Sequence, residues 1–153
     1  MPTLEEEIKQ PQFKSEKAKA LIHLMVTNGW ILEQHKEFFK PYNISKQQYN
    51  VMRILRGQHP NGVSVNDIKN RLLDKMSDAS RLVDRLVSKG LVERKVNASD
   101  RRSAKVILSE SGMALLSRID EKVHQIEGLL DVITEEEAQV LNQAFEKIRN
   151  QKS

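Results

Sequence analysis

Residues 91 to 108, LVERKVNASDRRSAKVIL, carry Asp100, Arg101 and Arg102 between two short alternating runs. Two adjacent guanidiniums on a tip whose largest apolar side chain is Ala98 have little to bury, and they suit a phosphate or a narrow, electronegative groove. The flanking runs read as strands. In the first, over 91–96, apolar residues open and close a charged centre that includes Arg94. In the second, over 104–108, Val106 and Leu108 share one face and Lys105 takes the other. The spacing predicts a hairpin with a seven-residue loop over 97–103. Arg102 is the residue expected in a minor groove, Arg101 is expected on a phosphate, and Asp100 is expected to brace the loop by accepting hydrogen bonds from Arg102 or from loop amides.

The elements that would position such a tip lie just upstream, in SVNDIKNRLLDKMSDASRLVDRLVSKGL. Val65, Ile68, Leu72 and Leu73 recur at helical intervals, and Ala79, Leu82, Val83 and Leu86 form a second, narrower stripe. A break over 74–77 separates them, which is the spacing of a helix-turn-helix. Ser77 is the expected N-cap of the second helix and Gly90 its terminator, so that helix is predicted over 77–89. Its polar face presents Asp78, Ser80, Arg81, Asp84, Arg85 and Ser88. Helices inserted in a major groove use their N-terminal side chains on base edges, so Ser80 and Arg81 are the expected readers and Arg85 a phosphate contact. Ser77, Asp78, Lys89, Arg94 and Lys105 complete the candidate DNA-contacting set.

Helix, turn, helix and basic hairpin in this order resemble the multiple antibiotic resistance regulator (MarR) family of winged helix-turn-helix proteins. The likeness rests on ISKQQYNVMRIL from Ile44, on SRLVDRLVSKGLVER from Ser80, and on Asp100, Arg102, Leu108, Ser109 and Gly112. Ser109 stands where the family pattern has Thr, a mild departure because both cap helices. The resemblance implies a symmetric dimer held by the first and last helices. It also implies a double-stranded, pseudo-palindromic operator with its two major grooves roughly 34 to 36 Å apart. It further implies a small aromatic effector bound between the dimer helices and the winged domain, for which Trp30, Tyr42, Tyr49 and Arg53 are of suitable type.

The rest of the chain fits that outline. An unbroken amphipathic helix is predicted over 14–40, with Leu21, Leu24, Met25, Ile31, Leu32, Phe38 and Phe39 on one stripe and His23, Val26 and Trp30 on a second. Ser45 with Gln48, and Thr134 with Glu137, form capping boxes that open further helices. One long helix is expected after Ser109, carrying Leu115, Leu116, Ile119, Val123, Ile126 and Leu130. The fold class is therefore mainly α with a small β-hairpin wing (α+β). Residues 1–44 and 111–153 are expected to form the dimerisation region and 45–110 the DNA-binding domain.

Charge and composition narrow the function. The net charge is +4, but residues 63–108 alone carry a net +5 while 109–153 carry −4, as a nucleic-acid face with a separate partner surface would. With no cysteine in the chain, disulfides, thiolate-bound zinc and thiol redox switching are excluded. The histidines at 23, 35, 59 and 124 lack metal-ligand spacing, and neither a GxSxG elbow nor a glycine-rich phosphate loop occurs. No cofactor, metal, catalytic residue or membrane span is expected, and a cytoplasmic location is. The expectation is a dimeric, ligand-responsive transcriptional repressor and not an enzyme. A DNA-bending or RNA-binding winged helix without regulatory ligand, and a helical protein-interaction adaptor, stay open as alternatives.

Overall fold

Among the described residues, every α-helix except the short one over His124–Glu127 begins where a short polar side chain satisfies one of its first free N–H groups, and these starts lay out the architecture. The computed structural model describes residues 2–97 and 100–152, with the side chains of residues 97 and 100–103 outside that description. A short α1 (Leu4–Glu7) precedes α2 (Glu16–Phe39), whose Ser15 hydroxyl accepts from Ala18 N–H. A 3₁₀ turn over Lys40–Tyr42 and a left-handed Asn43 lead into α3 (Lys46–Gln58), opened by the reciprocal Ser45–Gln48 box with both bonds at 3.0 Å. Then come β1 (Val63–Ser64), α4 (Val65–Arg71), α5 (Ala79–Ser88), β2 (Val92–Asn97), β3 (Asp100–Leu108), α6 (Glu110–Asp120), α7 (His124–Glu127) and α8 (Glu135–Arg149). The Thr134–Glu137 box that opens α8 is present as the sequence predicts.

The core is the meeting of α3, α4, α5 and α6 over the sheet. Val51, Met52 and Leu55 of α3, Ile68 of α4, Val83 and Leu86 of α5, and Leu116 and Ile119 of α6 are almost fully buried together with Val92 and Val106. Burying each such side chain stabilises by roughly 1.5–3 kcal/mol, so this cluster sets the relative pose of the two helix-turn-helix helices. The antiparallel sheet has the order β1-β3-β2, with Val63 opposite Val106 and Val92 opposite Leu108. The long α2 buries only Phe39, and α8 keeps every side chain at least partly exposed. Leu21, Met25 and Trp30 on α2 and Val140 and Ile148 on α8 are turned outward.

Four expectations need correction. The N-cap of α5 is Asp78, whose carboxylate accepts from Arg81 N–H at 3.1 Å, because the preceding Ser77 N–H is held by the Asp74 carbonyl. Leu72 leaves the helical region and ends α4, so Leu73 is exposed instead of lying on the buried stripe. The second wing strand is longer than the alternation shows, while the first keeps its six residues, moved on by one. Asn97 pairs with Asp100, so Asp100, Arg101 and Arg102 belong to β3, and Ala98 and Ser99, which join the strands, lie outside the described residues. The helix after Ser109 does not continue to Leu130: it yields at residues 121–123 before α7, and Val123 and Ile126 pack on the core.

The start of α6 is the tightest point of the fold. Ser109 donates its N–H to the Leu91 carbonyl and its hydroxyl to the Gly90 carbonyl at 2.6 Å, while that hydroxyl accepts from Gly112 N–H. A Cβ on Gly112 would lie 2.1 Å from the same Leu91 carbonyl oxygen, and Gly90, at φ +72°, ends α5 in the left-handed region. Gly112→Ala is therefore expected to destabilise the protein by about 1–3 kcal/mol or more through overpacking against backbone. Ser109→Ala should cost about 1 kcal/mol or somewhat more through the lost cap. Urea unfolding of the two variants beside the parent measures both, and a Gly112→Ala midpoint equal to the parent's would refute the close-approach argument.

Candidate nucleic-acid interface

The face of α5 turned away from the core is polar, exposed and fixed at its N-terminal end. Ala79, Val83 and Leu86 face inward, which leaves Ser80, Arg81, Asp84, Arg85 and Ser88 on the opposite side, all exposed. The turn before the helix is held by one bond to α3 and by bonds within the turn. Leu73 N–H donates to Asn50 Oδ1 of α3 at 2.9 Å, and Met76 N–H donates to Asp74 Oδ1 at 3.0 Å. That second bond holds the Asp74 carboxyl below the usual aspartate range, so it stays an acceptor and keeps the turn closed. Ser80, Arg81 and Arg85 thus project from a helix whose start cannot easily drift. The two other candidates at this end are engaged: Asp78 caps the helix and Ser77, half-buried, is part of the turn.

The sheet orders the next group of cations by face. Arg94 lies opposite Val106, on the side of the sheet facing α5, and its guanidinium pairs with Asp84. Lys105 lies opposite Lys95 on the other side, and both are exposed. Lys95 was absent from the sequence-based set; the β2–β3 register is what reveals it, since only pairing shows that two lysines sit side by side. Like charges directly opposite in a ladder are unfavourable. An anion between them relieves that repulsion. Lys89, at the other end of α5, turns back to donate to the Asn43 carbonyl and to Gln48 Oε1 at 3.3 Å. The side chains of Asp100, Arg101 and Arg102 lie outside the described residues, although their backbone extends the hairpin beyond this lysine pair.

The four residues named for an effector are not brought together. Tyr49 and Arg53 line a cleft of about 190 Å³ with His35, Asn50, Leu73, Asp74, Val123 and Ile126 among its walls. There the Arg53 guanidinium sits 6.0 Å from the Tyr49 ring centroid, and burial pushes the Tyr49 phenol above its usual range. Tyr42 instead packs on Phe38 and lies 5.7 Å from the Arg118 guanidinium. Trp30 stands out on α2, 48% exposed. Sequence reasoning missed His35 and Asn50 as walls of the cleft, because His35 reads as a packing residue on the apolar stripe of its helix and Asn50 as an ordinary polar position.

Among the described residues no group of three histidines or carboxylates could hold a metal, and no helix is long and apolar enough to cross a membrane.

Comparison with known proteins falls on the same elements. The family model described as the MarR family matches residues 42–103, from the turn before α3 into the wing. The HTH-type transcriptional regulator PecS of Dickeya dadantii is 31% identical over 101 residues, which are 65% of this chain and 61% of PecS. The chain thus matches less than two thirds of that relative's length. Among solved structures, a MarR transcription factor from Planctomyces limnophilus is 33% identical, with 88% of this chain and 98% of that one covered and a TM-score of 0.66. A mutant MarR from E. coli, solved in complex with operator DNA, is 26% identical, with 96% and 99% covered and a TM-score of 0.70.

The cleft also carries a pH dependence. Burial, reinforced by the Lys46 ammonium, holds the His35 imidazole below its ordinary range. The unfolded chain therefore takes up this proton at a higher pH than the native one, and stability present above about pH 6.5 falls as the pH drops below it. Guanidinium unfolding at pH 7.5 and 5.5 should show a loss of stability at the lower pH that is smaller in His35→Gln. An equal loss in both proteins would assign the slope to other groups.

Proposed function

The chain belongs to the MarR family of transcriptional regulators, and from that premise we propose that it is a homodimeric repressor that binds an inverted-repeat DNA operator in the cytoplasm and is released by a small aromatic effector. Residues 45–110 form the DNA-binding unit, and 1–44 with 111–153 form the dimerisation region. The observation that carries the reading is the exposed polar face of α5, with Ser80, Arg81 and Arg85 on a helix whose start is capped and anchored, together with the Lys95–Lys105 pair of the hairpin.

In this reading each subunit sets α5 into a major groove. Ser80 and Arg81 meet base edges and Arg85 meets a phosphate, while the wing brings Lys95, Lys105, Arg101 and Arg102 along the backbone toward the minor groove. The operator complex of the E. coli MarR protein, which shares the fold along nearly the whole chain, supports that placement. Dimerisation is supported by the outward apolar residues of α2 and α8, which a single chain leaves uncovered. A symmetric, self-complementary contact buries such stripes in both copies at once. The effector would sit in the cleft of His35, Tyr49 and Arg53, where a cation and aromatic walls suit an aromatic acid.

The test is binding to a duplex carrying the region upstream of the protein's own gene, across a salt series. Arg81→Ala should weaken operator binding by about 1–3 kcal/mol and relax base preference at one position per half-site, whereas Arg102→Ala should weaken it across sequences and flatten the salt slope by about one ion per wing. Unchanged affinity and slope in Arg102→Ala would remove the wing from the contact. Light scattering that gives a monomer at micromolar concentration would overturn the dimer, and the absence of any thermal shift with aromatic acids would overturn the effector.

A further inference from the structure

Met76 is 93% exposed, in the turn that leads into α5. Its surroundings show which way the turn presents its side chains. Leu73, the other exposed apolar residue of the turn, lines the cleft beside His35 and Tyr49. Lys75 folds back, its ammonium donating to the Asn70 carbonyl of α4 at 2.5 Å. The Met76 backbone is fixed by the bond from its own N–H to Asp74 Oδ1 and by the Ser77 N–H bond to the Asp74 carbonyl. A rigid backbone therefore offers one large, flexible apolar side chain two residues ahead of the helix cap, among the polar Lys75, Ser77 and Asp78.

We infer that Met76 determines part of the operator's sequence by contacting the C5-methyl group of a thymine in the major groove. The inference rests on the DNA-binding reading above. Lone exposed hydrophobics are ordinary, so it is the position that gives this one meaning: the N-terminal end of a recognition helix is the part that enters the groove. On the floor of the major groove every base edge offers hydrogen-bond donors or acceptors, and the thymine methyl is the apolar feature among them. An unbranched thioether with three rotatable bonds adapts its reach to such a group. The arrangement divides recognition between two chemistries, with Arg81 and Ser80 hydrogen-bonding to base edges and Met76 covering a methyl group at the flank of the same half-site.

The experiment replaces the methyl group without touching a hydrogen bond. A tight-binding duplex is selected from random sequences with the full-length protein, and each thymine of a half-site is then exchanged in turn for deoxyuridine. The parent protein should lose about fourfold in affinity at one thymine per half-site, the factor that burial of one methyl-sized group gives, and about fifteenfold when both half-sites are changed. Met76→Ala should bind the thymine duplex with the same loss and show no further loss on uridine exchange at that position. Met76→Leu should retain sensitivity to the methyl. A Met76→Ala protein that still loses about fourfold on uridine exchange at that position overturns the inference, whether its affinity for the thymine duplex equals the parent's or is reduced, and in the reduced case the side chain would lie on the sugar–phosphate backbone. Failure to select any duplex would overturn the DNA-binding reading itself and this inference with it.

Discussion

The Leu91 carbonyl is the point on which the rest of the molecule is hung. It accepts the Ser109 N–H and lies where any side chain on Gly112 would have to be. One oxygen thus closes the gap between the end of α5 and the start of α6. Ser109 makes the junction three-way, since its hydroxyl reaches the Gly90 carbonyl and caps α6 through Gly112 N–H. Moving any one of α5, β2, β3 or α6 would break a bond made by another. The hairpin emerges from this junction, so its direction relative to α5 is fixed by backbone geometry and not by its own exposed side chains.

That dependence explains the Leu-Ser-x-x-Gly spacing from Leu108 to Gly112 in physical terms. Leu108 is buried opposite Val92, Ser109 caps, and Gly112 must lack a Cβ, so the three positions serve one crossing of the chain. In sequence, Leu108 was legible as a buried strand position and Ser109 as a cap, whereas Gly112 entered only with the family resemblance and its reason is the close approach to Leu91. Other features had no such marker. Ser77 and Asp78 are both competent N-caps, and the choice fell on Asp78 only because Asp74 captures the Ser77 amide. The extent of the wing was hidden as well: residues 97–103 lack apolar alternation, while strand pairing by backbone needs none. Lys95 lay unmarked for the same reason, its significance residing in a partner ten residues on. The break after α6 has no proline or glycine at the bend, and tertiary packing of Val123 and Ile126 overrides local helix propensity there.

Charge on the exposed face of α5 and the first wing strand is more balanced than the local net of +5 suggests. Asp84 stands on the exposed face of α5, where an unpaired carboxylate would oppose a phosphate-lined groove. Its pairing with Arg94 leaves that pair neutral, and it ties the middle of α5 to the first wing strand. In the free protein an exposed pair of this kind contributes little, about 0–1 kcal/mol. Its strength grows as water leaves, because the same two charges interact about four times more strongly at an effective dielectric of 20 than in bulk water. The pair therefore tightens under the conditions in which the helix and the wing must hold a common register. Lys95 and Lys105 behave in the opposite sense, repelling one another until an anion lies between them.

The turn ahead of α5 joins two surfaces that would otherwise be independent. Leu73 and Asp74 line the cleft of His35, Tyr49 and Arg53, while the same two residues anchor the helix start, Leu73 through Asn50 and Asp74 through Met76 and Ser77. A molecule in the cleft would thus press on the segment that sets where α5 begins. Contact alone does not make a switch. Occupancy changes DNA affinity only to the extent that the molecule binds one pose of the turn better than another, and moving a population from 1:99 to 99:1 takes about 5.5 kcal/mol of that difference. Because the turn is held by two hydrogen bonds within itself and one to α3, each worth about 0.5–1.5 kcal/mol net, an occupant that displaced only the Asn50–Leu73 bond would shift the balance by about tenfold at most. In the proposed function, full release of DNA through this route would require the turn to open as a unit, with Asp74 giving up both Met76 and Ser77.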